Sequence, residues 1–268
     1  MPIGPARMPL SDHLGELRRR LLIIVVSLAA ATLVLYFATP TIVEILEEPI
    51  YEYVEDGEFY ITTSLGGFNV KFGIAFKCAI MVCTPMILWQ VLGFFLPALK
   101  ENERKWVVPT VLIATVLFFV GMLFAYFIAI PTAFEWLIGQ TSDIATALPD
   151  LEDYVNIEIL LMIGFGIIFE LPLVIFYLTV FHIVPYATFR SAWRYVYVIL
   201  IVVCACVTPD GSPVTLLIMY AVMLLMYELS LAVSRFVIMR REGPEGLSKS
   251  AFAGLTDDED EEAEEAAA

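Results

Sequence analysis

Apolar residues fall in six long runs separated by polar, proline-rich joints: Leu21–Ala38, Phe72–Leu96, Trp106–Ile130, Ile157–Phe181, Tyr195–Val207 and Val214–Arg235. A helix needs roughly 20 mostly apolar residues to cross a bilayer, and the pattern predicts one span per run. The fifth run is short, about 13 residues, which gives only about 20 Å of helix at about 1.5 Å per residue. The sixth is little longer once its ends are trimmed. This pair either crosses a thinned bilayer or forms a tight hairpin turned by "TPDGSP". The first run follows a basic stretch, "ELRRR", and leads into alanines at 29–31, as a signal peptide does. It continues to Phe37 and five further runs follow, so it reads as an uncleaved anchor.

Composition agrees with the pattern. The 268 residues are 60% hydrophobic and 17% charged, and mean hydropathy is +0.82. Water-soluble domains average about 45–50% apolar and about 25% charged, so this is a membrane protein. The net charge of −15 is uneven, since eight acids stand between Asp257 and Glu265 with no Lys or Arg after Lys249. Such a block reads as a solvated, disordered tail. It divides the chain into a membrane domain at 1–240 and an acidic cytoplasmic tail at 241–268.

Lys and Arg set the expected orientation. Thirteen of the fifteen, including Arg18, Arg19, Arg20, Lys100, Arg104, Lys105, Arg190, Arg240 and Arg241, fall on one side of the spans. Only Lys71 and Lys77 fall on the other. The positive-inside rule then places both termini in the cytoplasm. The outer segments, 39–71 and 131–156, are acidic, and the first is patterned to form a short amphipathic cap.

Several chemistries are excluded. Cys78, Cys83, Cys204 and Cys206 all lie inside apolar runs, at spacings unlike zinc or redox motifs, and read as buried inert thiols. No Gly-rich phosphate cradle is present. No metal, cofactor or nucleic-acid partner is expected, and no halves related by repetition support an inverted-repeat transporter.

The polar residues near the span ends have plain structural readings. Ser11 or Asp12 in "MPLSDHLGELRRRLL" suits a helix cap. Glu16 stands one turn before Arg20, where an intrahelical ion pair is worth a few tenths of a kcal/mol. Glu101 and Glu103 in "FFLPALKENERKWVVP" suit the start of a helix dipole.

Taken in order, "HLGELRRRL", "FFLPALKENERK", "FFVGMLFAYFIAIPTAF", "GFGIIFELPL", "TPDGSP" and "YELSLAVSR" resemble the landmarks of the TatC family, the multispanning core of the twin-arginine protein translocase. The resemblance runs from Leu10 to Arg240. It departs from the family pattern at Lys100, where an aromatic is common, and at Thr208–Asp210, where many members carry a second proline. It implies no enzyme activity. It implies export of folded cargo whose signal peptides carry paired arginines, cooperation with small single-span TatA/TatB-type subunits, self-association in a larger complex, and energy from the proton gradient. Carried over by motif, Glu16, Leu17, Phe94, Pro97 and Glu103 would form the signal-peptide site. The chemistry fits, because two carboxylates on one surface select guanidinium over ammonium.

Glu170 and Pro172 stand at the centre of the fourth run. A carboxylate at mid-bilayer costs at least about 2.5 kcal/mol on insertion scales, so Glu170 must face protein or a wet hollow, or be neutral. Pro172 cannot donate to the Ile168 carbonyl, and the helix should break there. The resemblance makes Glu170 a docking point for a partner helix; a hydrogen bond within the chain is the structural alternative. Pro85, Pro109 and Pro131 read as kinks or ends.

The expected architecture is an all-α membrane protein, six transmembrane helices in a curved, bowl-like bundle in the cytoplasmic membrane, with short fifth and sixth spans. A secondary transporter or proton channel using Glu170 is the alternative function. It needs further buried acids, and Glu228 is the one candidate, placed where it can simply snorkel. A membrane protease is a third reading, but the spans offer no paired aspartates or Ser/His arrangement, and His182 has no evident partner.

Overall fold

The computed structural model describes residues 10–49, 59–61, 65–95, 107–141, 150–208 and 212–248, with backbone alone at 10–13, 95 and 141. Among them every regular element is a helix. In chain order these are α1 (Leu10–Glu47), α2 (Gly66–Phe95), α3 (Val107–Phe124), a π-helical turn (Ala125–Ala129), α4 (Ile130–Thr141), α5 (Leu151–Phe169), α6 (Leu171–Val180), α7 (Tyr186–Ser191), α8 (Trp193–Val207), α9 (Pro213–Arg241) and a 3-10 turn (Pro244–Leu247). The chain divides into two compact units, Met1–Gly166 and Ile167–Ala268, with the boundary inside α5.

Five helical stretches are long and apolar enough to cross a membrane: Leu14–Glu47, Gly66–Phe94, Val107–Gln140, Leu151–Val180 and Pro213–Arg241. The sixth apolar helix, α8, is short as the pattern predicted, with 15 residues. A short sixth span does not follow: α9 has 29 residues. Its apolar stretch ends near Arg235, but Arg240 and Arg241 fill the last turn, where cations favour the negative end of the helix dipole. Its start is capped by Ser212, whose Oγ accepts from the Thr215 N–H at 3.0 Å, with Pro213 at the first helical position.

In the first unit, α1 runs through Pro40 instead of ending at Ala38. Proline lacks the N–H that would reach the Tyr36 carbonyl. The Thr39 hydroxyl supplies a donor instead, 3.0 Å from Tyr36 O and 3.1 Å from Leu35 O. Because α1 begins at Leu10, Ser11 and Asp12 stand inside its first turn and not at its cap. Pro85 lies within a continuous α2, and Pro109 in the first turn of α3. The π turn ends at Ile130, whose N–H reaches back to Ala125 O, so the extra residue is inserted directly before Pro131. Helix then continues through part of what reads in the sequence as the second outer segment.

Asp150 starts α5 by accepting from the Glu152 N–H at 2.9 Å, and the Leu151 N–H donates to Tyr60 O at 3.0 Å. Tyr154 stacks on Phe134 at 4.9 Å and meets Phe59 edge-on at 5.9 Å. The segments 39–71 and 131–156 are therefore joined at this point. The core of this unit is formed by Ile74, Ala79, Phe118, Ile130, Ile159 and Phe165. Gly166 lets α5 approach α3, since a Cβ there would lie 2.6 Å from Phe118 Cε2.

In the second unit, α9 packs against α6 and α8. Met219, Met223, Tyr227 and Leu231 are buried on α9, facing inward with Leu200 and Cys204 of α8 and Ile175 of α6 in the same core. Cys204 Sγ lies 3.2 Å from Met223 Sδ. All four cysteines are free, but Cys206 is exposed and only Cys204 is buried. Leu33, Val34, Phe37, Leu112, Phe127, Tyr195, Leu217 and Leu225 are large side chains left exposed. Such a surface is intolerable in water and ordinary against hydrocarbon.

Candidate functional site

Glu16 and Leu17 lie on α1 beside the last turns of α2. Arg20 donates to one carboxylate oxygen of Glu16, Oε1, from both Nε (3.0 Å) and Nη2 (2.5 Å). Its third nitrogen, Nη1, contacts Gln90 on α2, 3.3 Å from the side-chain oxygen and 3.4 Å from the carbonyl. The side chains of Arg20 and Glu16 are 20% and 26% exposed, so the pair lies at the surface of the unit and is not sealed in its core. Gly93 makes room for it: a Cβ at that position would come 2.3 Å from Arg20 Nη1. Phe94, half-buried, follows directly on α2, and Leu17 is half-buried on α1. Glu103 and Pro97 lie outside the described residues. Gln90 and Gly93 were not picked out from the sequence, although a Gln and a Gly three residues apart in an apolar run are a visible signal.

Glu170 separates α5 from α6. Its N–H turns back to Ile167 O at 3.1 Å, and its carbonyl accepts from Leu173 and Val174 at 3.0 and 3.1 Å. Pro172 falls in the first turn of α6, where a missing N–H leaves no bond unmade. The break expected at "FELP" is thus present at Glu170, two residues before Pro172. Oε1 of Glu170 is buried and has no hydrogen-bond partner among the described residues.

Three polar groups differ from their sequence readings. Glu158 stands in an apolar run with no local sign of a role, yet its side chain is completely buried in the first unit. Neither of its carboxylate oxygens has a partner among the described residues, and Glu47 and Tyr126 lie within electrostatic reach. Glu228 is therefore not the one further candidate acid. Nor does Glu228 snorkel free: it accepts from the Tyr197 hydroxyl at 2.7 Å and from Arg190 Nη1 at 3.3 Å. His182, expected to be unpartnered, pairs with Glu242 at 2.9 Å across the ends of α6 and α9. Elsewhere in the first unit, Lys77 donates to Asn156 at the wall of a cavity of about 180 Å³ shared with Asn69 and Glu152.

These features have close relatives. The profile of one family, Sec-independent protein translocase protein (TatC), matches residues 12–221. The TatC protein of Deinococcus radiodurans is 31% identical over 234 residues, covering 86% of this chain and 87% of its own length. That of Halalkalibacterium halodurans is 34% identical over 247 residues, covering 91% and 96%. A crystal structure of the twin-arginine translocase receptor TatC superimposes with a TM-score of 0.74 at 29% identity, covering 84% of this chain and 98% of the other. Six landmark motifs, five long apolar helices with a sixth shorter one, and these matches converge: the chain is a membrane protein of the TatC family of Sec-independent protein translocases.

Proposed function

We propose that this protein is the receptor core of a twin-arginine translocase in the cytoplasmic membrane, with both termini in the cytoplasm. It recognises the paired arginines of signal peptides on folded cargo, associates with TatA/TatB-type single-span subunits and with further copies of itself, and works on the proton gradient. Supporting the orientation is the placement of thirteen of fifteen Lys and Arg on one side. The observation that carries the recognition reading is the partly exposed Glu16 carboxylate, already holding a guanidinium at the joint of α1 and α2. Glu103 supplies the second carboxylate, and Leu17, Phe94 and Pro97 supply apolar surface beside them. Glu170 and Pro172 form the intramembrane docking point, supported by a buried carboxylate oxygen without a partner among the described residues.

The test is export of a folded reporter by cells in which this chain is the only TatC-type subunit. Export with an Arg-Arg signal and none with Lys-Lys is expected. Equal export with both signals contradicts the proposal.

The proton-channel reading gains one observation, the completely buried acid at Glu158. Substituting this acid separates the two readings, as set out below.

A further inference from the structure

We infer that Arg20 is a built-in competitor for the Glu16 carboxylate, and that this competition holds down the affinity of the site for any cationic signal. The inference rests on the proposal that Glu16 receives a signal arginine. It adds that the site is occupied beforehand by a side chain of the same chemistry.

The geometry of the pair is that of a placeholder. Both Arg20 nitrogens converge on Oε1, at 3.0 and 2.5 Å, and do not fork across the two carboxylate oxygens. An incoming guanidinium can take the parallel, two-oxygen arrangement that makes Arg–carboxylate pairs strong. Arg20 is held back from the other side by Gln90, through contacts of 3.3 and 3.4 Å at the long limit for hydrogen bonds. It has a defined seat but a loose one.

Specificity is a difference of affinities. Where Glu16 is bare, an ammonium and a guanidinium both gain a charge-assisted bond. With Arg20 in place, an entering group must replace a guanidinium. Arginine exchanges like for like and improves the geometry. Lysine, a point charge without the planar fork, replaces two donors with a weaker contact and releases Arg20. Displacing the resident arginine costs the same for either group, so Arg20 lowers both affinities by one factor, and the difference between them stays with the pairing geometry.

Gly93 supplies a test that leaves every charge in place. An alanine Cβ would lie 2.3 Å from Arg20 Nη1 and 3.0 Å from Cζ. The clash is with the far end of a flexible side chain, so the guanidinium moves and the helices need not. Gly93→Ala and Arg20→Gln should therefore act alike, although one keeps the positive charge and the other removes it.

The experiment measures binding of fluorescent Arg-Arg and Lys-Lys signal peptides to the full-length protein in lipid nanodiscs, for wild type, Gly93→Ala, Arg20→Gln and Glu16→Ala. Both unlocking variants should bind the Arg-Arg and the Lys-Lys peptide better by a common factor of about two to five, the scale of a partly exposed ion pair. The ratio of the two affinities would stay the same. Unchanged or equally weakened binding of both peptides in Gly93→Ala and Arg20→Gln overturns the competitor role. In that event Glu16→Ala still decides the underlying site: reduced Arg-Arg binding keeps Glu16 as the receiving group, and unchanged binding removes it.

Discussion

The Tyr197 hydroxyl donates to Glu228 Oε1 at 2.7 Å, tying the start of α8 to the middle of α9. Arg190 on α7 adds two longer contacts of 3.3 Å to the same carboxylate. This is a short neutral-to-charged hydrogen bond, a class worth about 1.5–3 kcal/mol when well desolvated, and less here because Glu228 is 42% exposed.

Tyr197→Phe and Glu228→Gln should each lower the melting temperature in detergent, and the double variant should melt little below the worse single one. Arg190→Gln should cost less than either, because Arg190 is 58% exposed and exposed ion pairs contribute about 0–1 kcal/mol. Additive losses from Tyr197 and Glu228 would show that the two side chains do not act as a pair.

What could be read from the chain, and what could not, divides along physical lines. Apolar length located all six hydrophobic helices, because bilayer thickness is a strong constraint. Helix ends were harder. Pro40 resembles a stop signal, but the Thr39 hydroxyl offers the donor that proline lacks. Pro131 resembles a kink, yet the π turn before it inserts the extra residue. Asp150, directly before an apolar run, was a readable cap that went unused. Glu158 was missed because its burial depends on neighbours far away in sequence, and no local pattern encodes them. At the candidate site, motif order points to Glu16, Leu17 and Phe94. Their link through Gln90 and Gly93 needed the helices to be placed side by side.

Topology is tested by single-cysteine labelling of intact cells in a background without the native thiols. Positions 55–58 and 143–150 should react with an impermeant reagent from outside. Positions 100–105 and 240–250 should react only after permeabilisation. External labelling at 100–105 would invert the proposed orientation.

Glu158→Gln keeps the side-chain volume and removes the ionisable group. A buried carboxyl without a partner among the described residues gains nothing from being able to ionise, so stability should hold or rise, and export should persist if Glu158 only fills the helix packing. Loss of export in a folded Glu158→Gln protein would instead support a proton relay.

Glu170 separates docking from proton transfer in the same way. Gln retains both a donor and an acceptor, so Glu170→Gln should keep much of the export. Glu170→Ala should lose co-purification of the small single-span partner while signal binding persists. Full partner recovery in the Ala variant, together with no export in the Gln variant, would refute docking.

Recognition of paired arginines by the Glu16 and Glu103 carboxylates is the centre of the account, and site-specific photocrosslinking of a twin-arginine signal peptide in native membranes tests it most directly. Glu103→Ala should weaken the crosslink strongly and Glu16→Ala more mildly, because Glu16 is shared with Arg20. Glu103→Gln should be nearly as harmful as Ala, since it keeps volume and loses charge. The double variant should abolish the crosslink. A signal crosslink of wild-type strength in the folded Glu16/Glu103 double variant would contradict the site.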